Sequence, residues 1–261
     1  MNRALFALTL TTALAASPTL ASPNRPWKQQ GSDDTIARRF APLKGMRRID
    51  VSAGGFGEFL RGLPLLPVGS RVKLFNGQDK PNQSVHEAVV DIDVGGRDLQ
   101  QCADAVMRLY GEWAWSRQRA NAMCFRAASG KNMCFGGGTY PTFRSWMNQV
   151  FTYANTGSLR AQMRKVEDPL HAMPGDVYIV GASGGMPFGH AVLVVDAADD
   201  ARGQRHLLLA QSYMPAQSIH VLKNVDHPEL GAWFGARADG GMRTPQWLFG
   251  PGSLYRFAGG S

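Results

Sequence analysis

Apolar and polar residues follow two different periods along the chain, and these periods predict short helices and strands. The segment FGEFLRGLPL, residues 56–65, places apolar side chains on one side of a short helix. Residues 90–94 alternate apolar and acidic side chains, which predicts a half-buried strand. Residues 71–81 read as a strand followed by a turn, because Asn76-Gly77 favours positive backbone angles.

The clearest helix is predicted for residues 98–115, DLQQCADAVMRLYGEWAW. Asp98 is a suitable N-cap, and Gln101 lies three residues on, as in a capping box. Apolar residues then recur at spacings of three and four, and Cys102 lies on that inward face. Two interpretations of Cys102 remain open. It is a small apolar filler, or it is a thiol whose anion is favoured by the positive end of the helix dipole.

A β-hairpin is predicted from GHAVLVVD and RHLLLAQSY, which the polar loop AADDARGQ joins. If the turn centres between residues 200 and 201, Asp196 lies opposite Arg205 and His190 lies opposite Gln211. Directly opposed side chains are about 5 Å apart at Cβ, so the Gln211 amide would orient the imidazole. His190 opens an apolar strand and is either a hydrogen-bonded structural histidine or a catalytic base.

Two further regions complete the predicted elements. The residues MPGDVYIV, 173–180, form a turn and a strand before the hairpin. Residues 140–165 are predicted helical, with an interruption at 155–157. The remaining polar candidates carry little chemistry: His220 and the other histidines beside loops are expected to be solvated. No His-x-x-x-His or paired-cysteine spacing supplies a metal site, and no cofactor is predicted.

The N-terminus has the pattern of a secretory signal. Arg3 precedes an apolar stretch over residues 4–16, and Thr19-Leu20-Ala21 offers a small-residue cleavage site. We therefore divide the 261 residues into a signal peptide (1–21), a loose leader (22–45) and a single domain (46–258). The protein is expected to be exported, to the periplasm or the extracellular space, with no stable membrane insertion once the signal is removed.

Composition and charge narrow the function classes. A hydrophobic content of 44% supports one substantial core, and 18% charged residues are too few for a disordered chain. The formal charge of +8 becomes +7 when Arg3 leaves with the signal. Lys and Arg are scattered without an RNA- or DNA-binding motif, so nucleic acid is not an expected partner. An anionic cell-wall polymer is compatible with this surface. The oligomeric state is left open.

Three cysteines in an oxidising compartment leave one unpaired. Cys124 and Cys134 flank a segment with the turn signal Ser129-Gly130, which favours a hairpin that brings the two sulfurs together. We expect these two cysteines to form a disulfide. Cys102 is then the spare thiol, either buried or used.

Cys102, His190 and Gln211 in this order are typical of a thiol nucleophile, a base and an orienting group. The segments MPGDVYIV and GHAVLVVD resemble the Pro-Gly-Asp strand and the Gly-His strand of NlpC/P60 and related papain-like cysteine peptidases and amidases. The resemblance implies an α+β, papain-like domain with a central antiparallel sheet and the nucleophile-bearing helix packed on it. It also implies Cys102 as nucleophile, His190 as base and Gln211 as orienter. QQCADA stands where those enzymes carry Asp-Cys-Ser-Gly.

A second resemblance covers most of the chain after the signal. DLQQCADAVMRL, GDVYI, GHAVLVVD, LLLAQSYMPAQSIHVLKN and TPQWLF are similar to exported bacterial proteins grouped as domain of unknown function family 4846. That family supplies no established reaction.

The sequence thus predicts an exported hydrolase or transferase that acts on amide bonds through an acyl-thiol intermediate, with cell-wall peptides as a candidate substrate. The backbone amide of Cys102 is the expected first donor to the oxyanion, and no side-chain donor is identified. The alternative is a catalytically silent binding protein that uses the same groove for a peptide or glycan. A third possibility is a structural partner of a secretion or wall complex.

Overall fold

The computed structural model describes residue 26 and residues 33–182 and 188–259. The predicted signal peptide and residues 22–25 and 27–32 of the predicted leader lie outside these residues. Residues 33–45 of that leader are folded, with Ile36 and Phe40 buried in the core, so this part belongs to the domain and is not a loose leader. No helix in the described part of the chain is long and apolar enough to cross a membrane.

Five α-helices and thirteen strands form the described part. The helices are α1 (Ile36–Arg39), α2 (Phe56–Arg61), α3 (Cys102–Ser116), α4 (Tyr140–Tyr153) and α5 (Thr156–Ala161). Short 3-10 turns lie at Ala120–Ala122, Pro169–His171 and Pro228–Leu230. The strands are β1 (Arg47–Arg48), β2 (His86–Val89), β3 (Cys124–Arg126), β4 (Asn132–Cys134), β5 (Met163–Lys165), β6 (Val177–Val180), β7 (His190–Asp199), β8 (Arg205–Gln211), β9 (His220–Leu222), β10 (Trp233–Gly235), β11 (Met242–Arg243), β12 (Leu248–Phe249) and β13 (Leu254–Phe257).

The main sheet is antiparallel and runs in the order β2-β9-β8-β7-β6-β13-β5. Strand β1 adds to β7, and β10 adds to β8. Two separate hairpin-like pairs, β3 with β4 and β11 with β12, complete the strands. The predicted mixed class with a large central antiparallel sheet is confirmed.

Alternate residues of the central strands serve two hydrophobic cores. Ala191 and Leu193 of β7 pack in the same cluster as Val106 of α3. Val192 and Val194 pack in a second cluster with Phe249 of β12. Because successive side chains of a strand point to opposite faces, β7 is covered on both sides and reads as a continuous apolar run. Helix α3 lies on the first of these two faces.

The hairpin register differs from the predicted one. Asp199 lies opposite Arg205, and Asp196 lies opposite Leu208. Strand β7 runs three residues further than the segment predicted from GHAVLVVD, and a bulge follows Val194. The Asp199–Arg205 pair places the turn centre at residue 202 and not between residues 200 and 201. The bulge then changes the register of the remaining pairs by one residue. The predicted direct pairs Asp196–Arg205 and His190–Gln211 are therefore wrong.

Two predicted helix boundaries also change. Helix α3 begins at Cys102 with Gln101 as its N-cap, and not at Asp98. The region predicted helical over 140–165 contains α4 and α5, with the break near the predicted interruption, and ends in strand β5. Strand β5 pairs with β13, so a long-range contact overrides the local preference.

The cysteine pairing is confirmed. Cys124 and Cys134 lie opposite each other in the β3–β4 hairpin and form a disulfide. Cys102 is free and buried.

Candidate active site

Cys102 is the first residue of the longest helix in the described part of the chain. Its position is fixed by a reciprocal cap, in which the Asp104 carboxylate accepts the Gln101 N–H at 3.1 Å. The first four N–H groups of a helix have no intrahelical acceptor, so the Cys102 N–H is free to face a ligand. The predicted nucleophile and the predicted first oxyanion donor thus belong to one residue.

The thiol lines a groove of about 510 Å³. The walls are the first turn of α3, the residues from the end of α4 to the start of α5, and residues 181, 182, 188 and 189. Phe188, 58% exposed, forms part of the rim. Arg160 adds a cationic, exposed side chain. The groove therefore offers apolar and charged contacts beside the sulfur.

Cys102 Sγ donates to the carbonyl oxygen of Gly189 at 3.7 Å. Burial, with a smaller contribution from the nearby Asp104 carboxyl, raises the pKa of the thiol to about 11. Hydrogen bonds from the backbone of Ala103 and Ala191 and from the Thr156 side chain oppose this shift. The thiol is therefore neutral at pH 7, and the helix dipole does not outweigh its desolvation.

Gly189 allows the thiol and α5 to approach β7 this closely. A Cβ at residue 189 would lie 2.5 Å from the Val180 carbonyl oxygen and 3.0 Å from two Thr156 side-chain carbons. Neither the Val180 backbone nor the Thr156 side chain can move far enough to admit a Cβ unless β6 or α5 moves as well. Only glycine fits at residue 189, between strand β7 and the groove.

His190 is held by three neighbours. Its Nε2 lies 2.8 Å from Gln211 Oε1. Its ring stacks on the Trp247 indole, with centroids 4.7 Å apart and planes 9° from parallel, and lies 5.1 Å from the Tyr213 ring. Burial lowers the pKa of His190 to about 4, and the Gln211 hydrogen bond opposes that shift. The imidazole is neutral at pH 7 and cannot rotate freely.

The structure brings two of the three predicted site residues into direct contact. His190 and Gln211 are hydrogen-bonded, although the observed register makes them diagonal and not direct neighbours. Cys102 contacts the backbone on either side of His190, at Gly189 and Ala191. Within the described residues, no hydrogen bond joins the Cys102 thiol to the His190 imidazole.

Sequence reasoning missed several residues around His190. Trp247 and Gln246 come from the TPQWLF motif, which the sequence marked without assigning a role. Lys80 is 5% exposed and follows a predicted turn, where a solvated lysine is the ordinary expectation. The prediction that His220 is solvated is wrong, because it is fully buried beside Gln211. Within the described residues, no group of three His, Cys, Asp or Glu side chains is placed to hold a metal ion.

Comparison with known proteins identifies a family and nothing beyond it. Residues 36–137 and 136–256 match the family model described as domain of unknown function (4846). No curated protein and no solved structure matches the chain.

Proposed function

We propose that this chain, which belongs to the domain of unknown function (4846) family, is a cysteine hydrolase or transferase that acts on amide bonds. The observation that carries the proposal is the groove-lining thiol at the start of α3, whose Sγ lies 3.7 Å from the carbonyl oxygen of Gly189, the residue before the Gln211-bonded His190. The antiparallel sheet with α3 packed on it supports a papain-like core. Export, and cell-wall peptides as the substrate, remain parts of this proposal.

The proposed reaction uses each group in one role. Because Gln211 Oε1 only accepts, His190 Nε2 carries a hydrogen and Nδ1 has the lone pair. Nδ1 takes the thiol proton as Sγ attacks the amide carbon, and the Cys102 N–H donates to the oxyanion. Imidazolium Nδ1–H then protonates the leaving amine, which leaves a thioester on Cys102. Water or an acceptor amine attacks the thioester carbonyl and releases the sulfur.

The two pKa shifts define the kind of catalysis proposed. A thiol with a pKa of about 11 and an imidazole with a pKa of about 4 do not form an ion pair at rest. The proton must therefore move during attack, by general-base catalysis. The His190 side chain points to the face of β7 opposite α3, so this proton transfer also requires the start of β7 to move when substrate fills the groove.

The test compares wild type with Cys102→Ala on peptidyl aminomethylcoumarins and on solubilised cell-wall peptides. We expect wild type to release amine and Cys102→Ala to lose turnover by on the order of 10³-fold or more. Acid quenching followed by mass spectrometry should locate the acyl group on Cys102. Turnover that survives in Cys102→Ala would rule out the thiol mechanism.

A catalytically silent binding protein is the second candidate, and the neutral, carbonyl-bonded thiol favours it. In that case the same cell-wall peptides bind wild type and Cys102→Ala alike, and neither protein releases amine or becomes acylated. This outcome would overturn the hydrolase proposal in favour of groove binding.

A further inference from the structure

A chain of polar side chains leads away from His190 through its hydrogen bond to Gln211. Gln211 Nε2 donates to Gln246 Oε1 at 2.8 Å, and Lys80 Nζ donates to the same oxygen at 3.3 Å. Gln211 Nε2 also lies 3.3 Å from His220 Nε2. Gln211 and His220 are buried, as is Lys80.

Both ends of this chain have a fixed hydrogen-bond polarity. A lysine ammonium has three donors and no acceptor, so Gln246 must turn its oxygen towards Lys80. At the other end, His220 Nδ1 lies 2.9 Å from the Ser218 carbonyl oxygen, which only accepts. His220 Nδ1 therefore carries the hydrogen, and its Nε2 has the lone pair.

These two ends determine the orientation of the side-chain amides between them. The Gln246 oxygen and the His220 lone pair both require a donor, and Gln211 Nε2 has two hydrogens to give. The Gln211 amide is therefore oriented with Nε2 towards Gln246 and His220. Its oxygen is left for His190, which must donate from Nε2 and keep its lone pair on Nδ1.

Lys80 is costly in this position. It is 5% exposed, and within the described residues no carboxylate pairs with it. Its Nζ lies 5.7 Å from the centroid of the Tyr213 ring, which supplies a cation–π contact in place of a counter-ion. Burial lowers the pKa of Lys80 to about 8. A buried, unpaired ammonium that the core does not need for packing points to a role in orienting other groups.

We propose that Lys80 and Gln246 are positioning residues that fix the tautomer of His190 through Gln211. This relay, Lys80–Gln246–Gln211–His190, rests on the proposed function for its catalytic meaning, because only a base that takes the thiol proton at Nδ1 requires this tautomer. Lys80 acts as the donor at one end, and the Ser218 carbonyl acts as the acceptor at the other. Without Lys80, Gln246 is free to turn its amide, and within the described residues His220 is the one group left that orients Gln211. With one of its two constraints gone, Gln211 populates both orientations, and the hydrogen on His190 is shared between Nε2 and Nδ1.

The test measures the His190 tautomer directly, by ¹⁵N NMR of histidine-labelled protein with the His190→Gln variant for assignment. Wild type is expected to show Nε2–H only. Lys80→Met, which keeps the length of the side chain and removes the donor, should shift about half of the population or more to Nδ1–H. Lys131→Met, at an exposed lysine in the β3–β4 turn, is the matched control and should leave the tautomer unchanged.

A second pair of variants tests the link at Gln246. Gln246→Glu keeps an acceptor for both Lys80 and Gln211, so it should retain Nε2–H. Gln246→Leu removes that acceptor and should shift the tautomer as Lys80→Met does. If Lys80→Met does not fold, the two Gln246 variants test the relay in its place. An unchanged tautomer in the folded variants that lack the link would overturn the relay.

Activity separates the relay from the proposed function. If the wild type hydrolyses amides, Lys80→Met should lower kcat at least 2-fold, with KM unchanged, because substrate contacts in the groove are intact. If the wild type is inactive and the tautomer still shifts, the relay stands and the hydrolase proposal fails. If the wild type is active and the tautomer does not shift, the relay alone fails.

Discussion

At the scale of single residues, burial decides the protonation of the site. Cys102 and His190 are both more than nine-tenths buried, and each is therefore held in its neutral form. The sequence predicted the same residues and left open whether Cys102 is an apolar filler or a thiol whose anion the helix start favours. Desolvation opposes the charged form of both groups, and here it outweighs the dipole. The consequence is a site that would have to move its proton during attack.

Two of the buried histidines, His190 and His220, also make stability depend on pH. Burial lowers the pKa of His190 to about 4 and that of His220 to about 3, against an ordinary value of about 6.5. As the pH falls below 6.5, these histidines bind protons in the unfolded chain and not in the folded one. Each should therefore lower the free energy of unfolding by up to about 1.4 kcal/mol per pH unit until its folded pKa is reached.

Urea unfolding at pH 7, 6 and 5 measures this dependence. His220→Gln should flatten the decline, since one of the two histidines is gone. His227→Gln is the matched control, because the His227 side chain is 64% exposed, and should leave the slope as in wild type. Equal slopes for wild type and His220→Gln would contradict the burial argument for His220. The comparison of the two proteins is needed because burial raises the pKa of Asp104 to about 8, which adds an opposite slope to both.

At the scale of elements, the start of α3 shows how a local pattern is reassigned. Asp98 has the chemistry of an N-cap, but its Oδ1 accepts from Gln101 Nε2 at 3.0 Å and from the Ala216 N–H at 2.7 Å. Asp98 thus ties the segment before the helix to the loop after β8. The cap itself moves to Gln101, which places Cys102 at the very first helical position.

Two different forces hold the open end of the β3–β4 hairpin. Phe125 and Phe135, next to the two cysteines, are buried in the core, and the disulfide closes the hairpin on the exposed side. The two cysteines are 10 residues apart in sequence, so loss of the bridge should lower the free energy of unfolding by about 2–3 kcal/mol.

The double variant Cys124→Ser/Cys134→Ser, compared with wild type in urea, measures that loss. Dithiothreitol should destabilise wild type by a similar amount and leave the double variant unaffected, which is the internal control. A double variant as stable as the oxidised wild type would show that the two phenylalanines alone secure the hairpin.

At the scale of the whole molecule, one sheet joins two cores. Leu193 of β7 packs on the α3 side, and Leu209 of β8 packs on the other side. Because both cores use alternate residues of the same strands, neither can be lost without the sheet. We therefore expect the domain predicted over residues 46–258 to unfold as one cooperative unit.

Single substitutions on the two faces test this expectation. Leu193→Ala and Leu209→Ala should each lower the free energy of unfolding by about 2–5 kcal/mol, within one transition. Tryptophan fluorescence and far-ultraviolet circular dichroism should give coincident curves. Val68→Ala, at a side chain that is 82% exposed, is the control and should change little. Two separated transitions would instead divide the chain into independently folding parts.

Local chemistry was readable from the sequence alone. The short helix at α2, the apolar hairpin strands, the turn that pairs Cys124 with Cys134 and the break between α4 and α5 all depend on residues close together in the chain. Periodicity and turn residues act over a few positions, so they determine such elements directly. The same patterns selected Cys102, His190 and Gln211 as candidates.

Only the tertiary structure decided how those candidates are arranged. The bulge after Val194 shifts the register of β7 against β8, and no residue pattern announced it. Trp247 stacks on His190 from more than 50 residues further along the chain. Lys80, more than 100 residues before His190, contacts Gln246, which in turn bonds Gln211. Burial there sets the charge of each group. Desolvation and long-range hydrogen bonds depend on which surfaces meet, and that is a property of the folded chain as a whole.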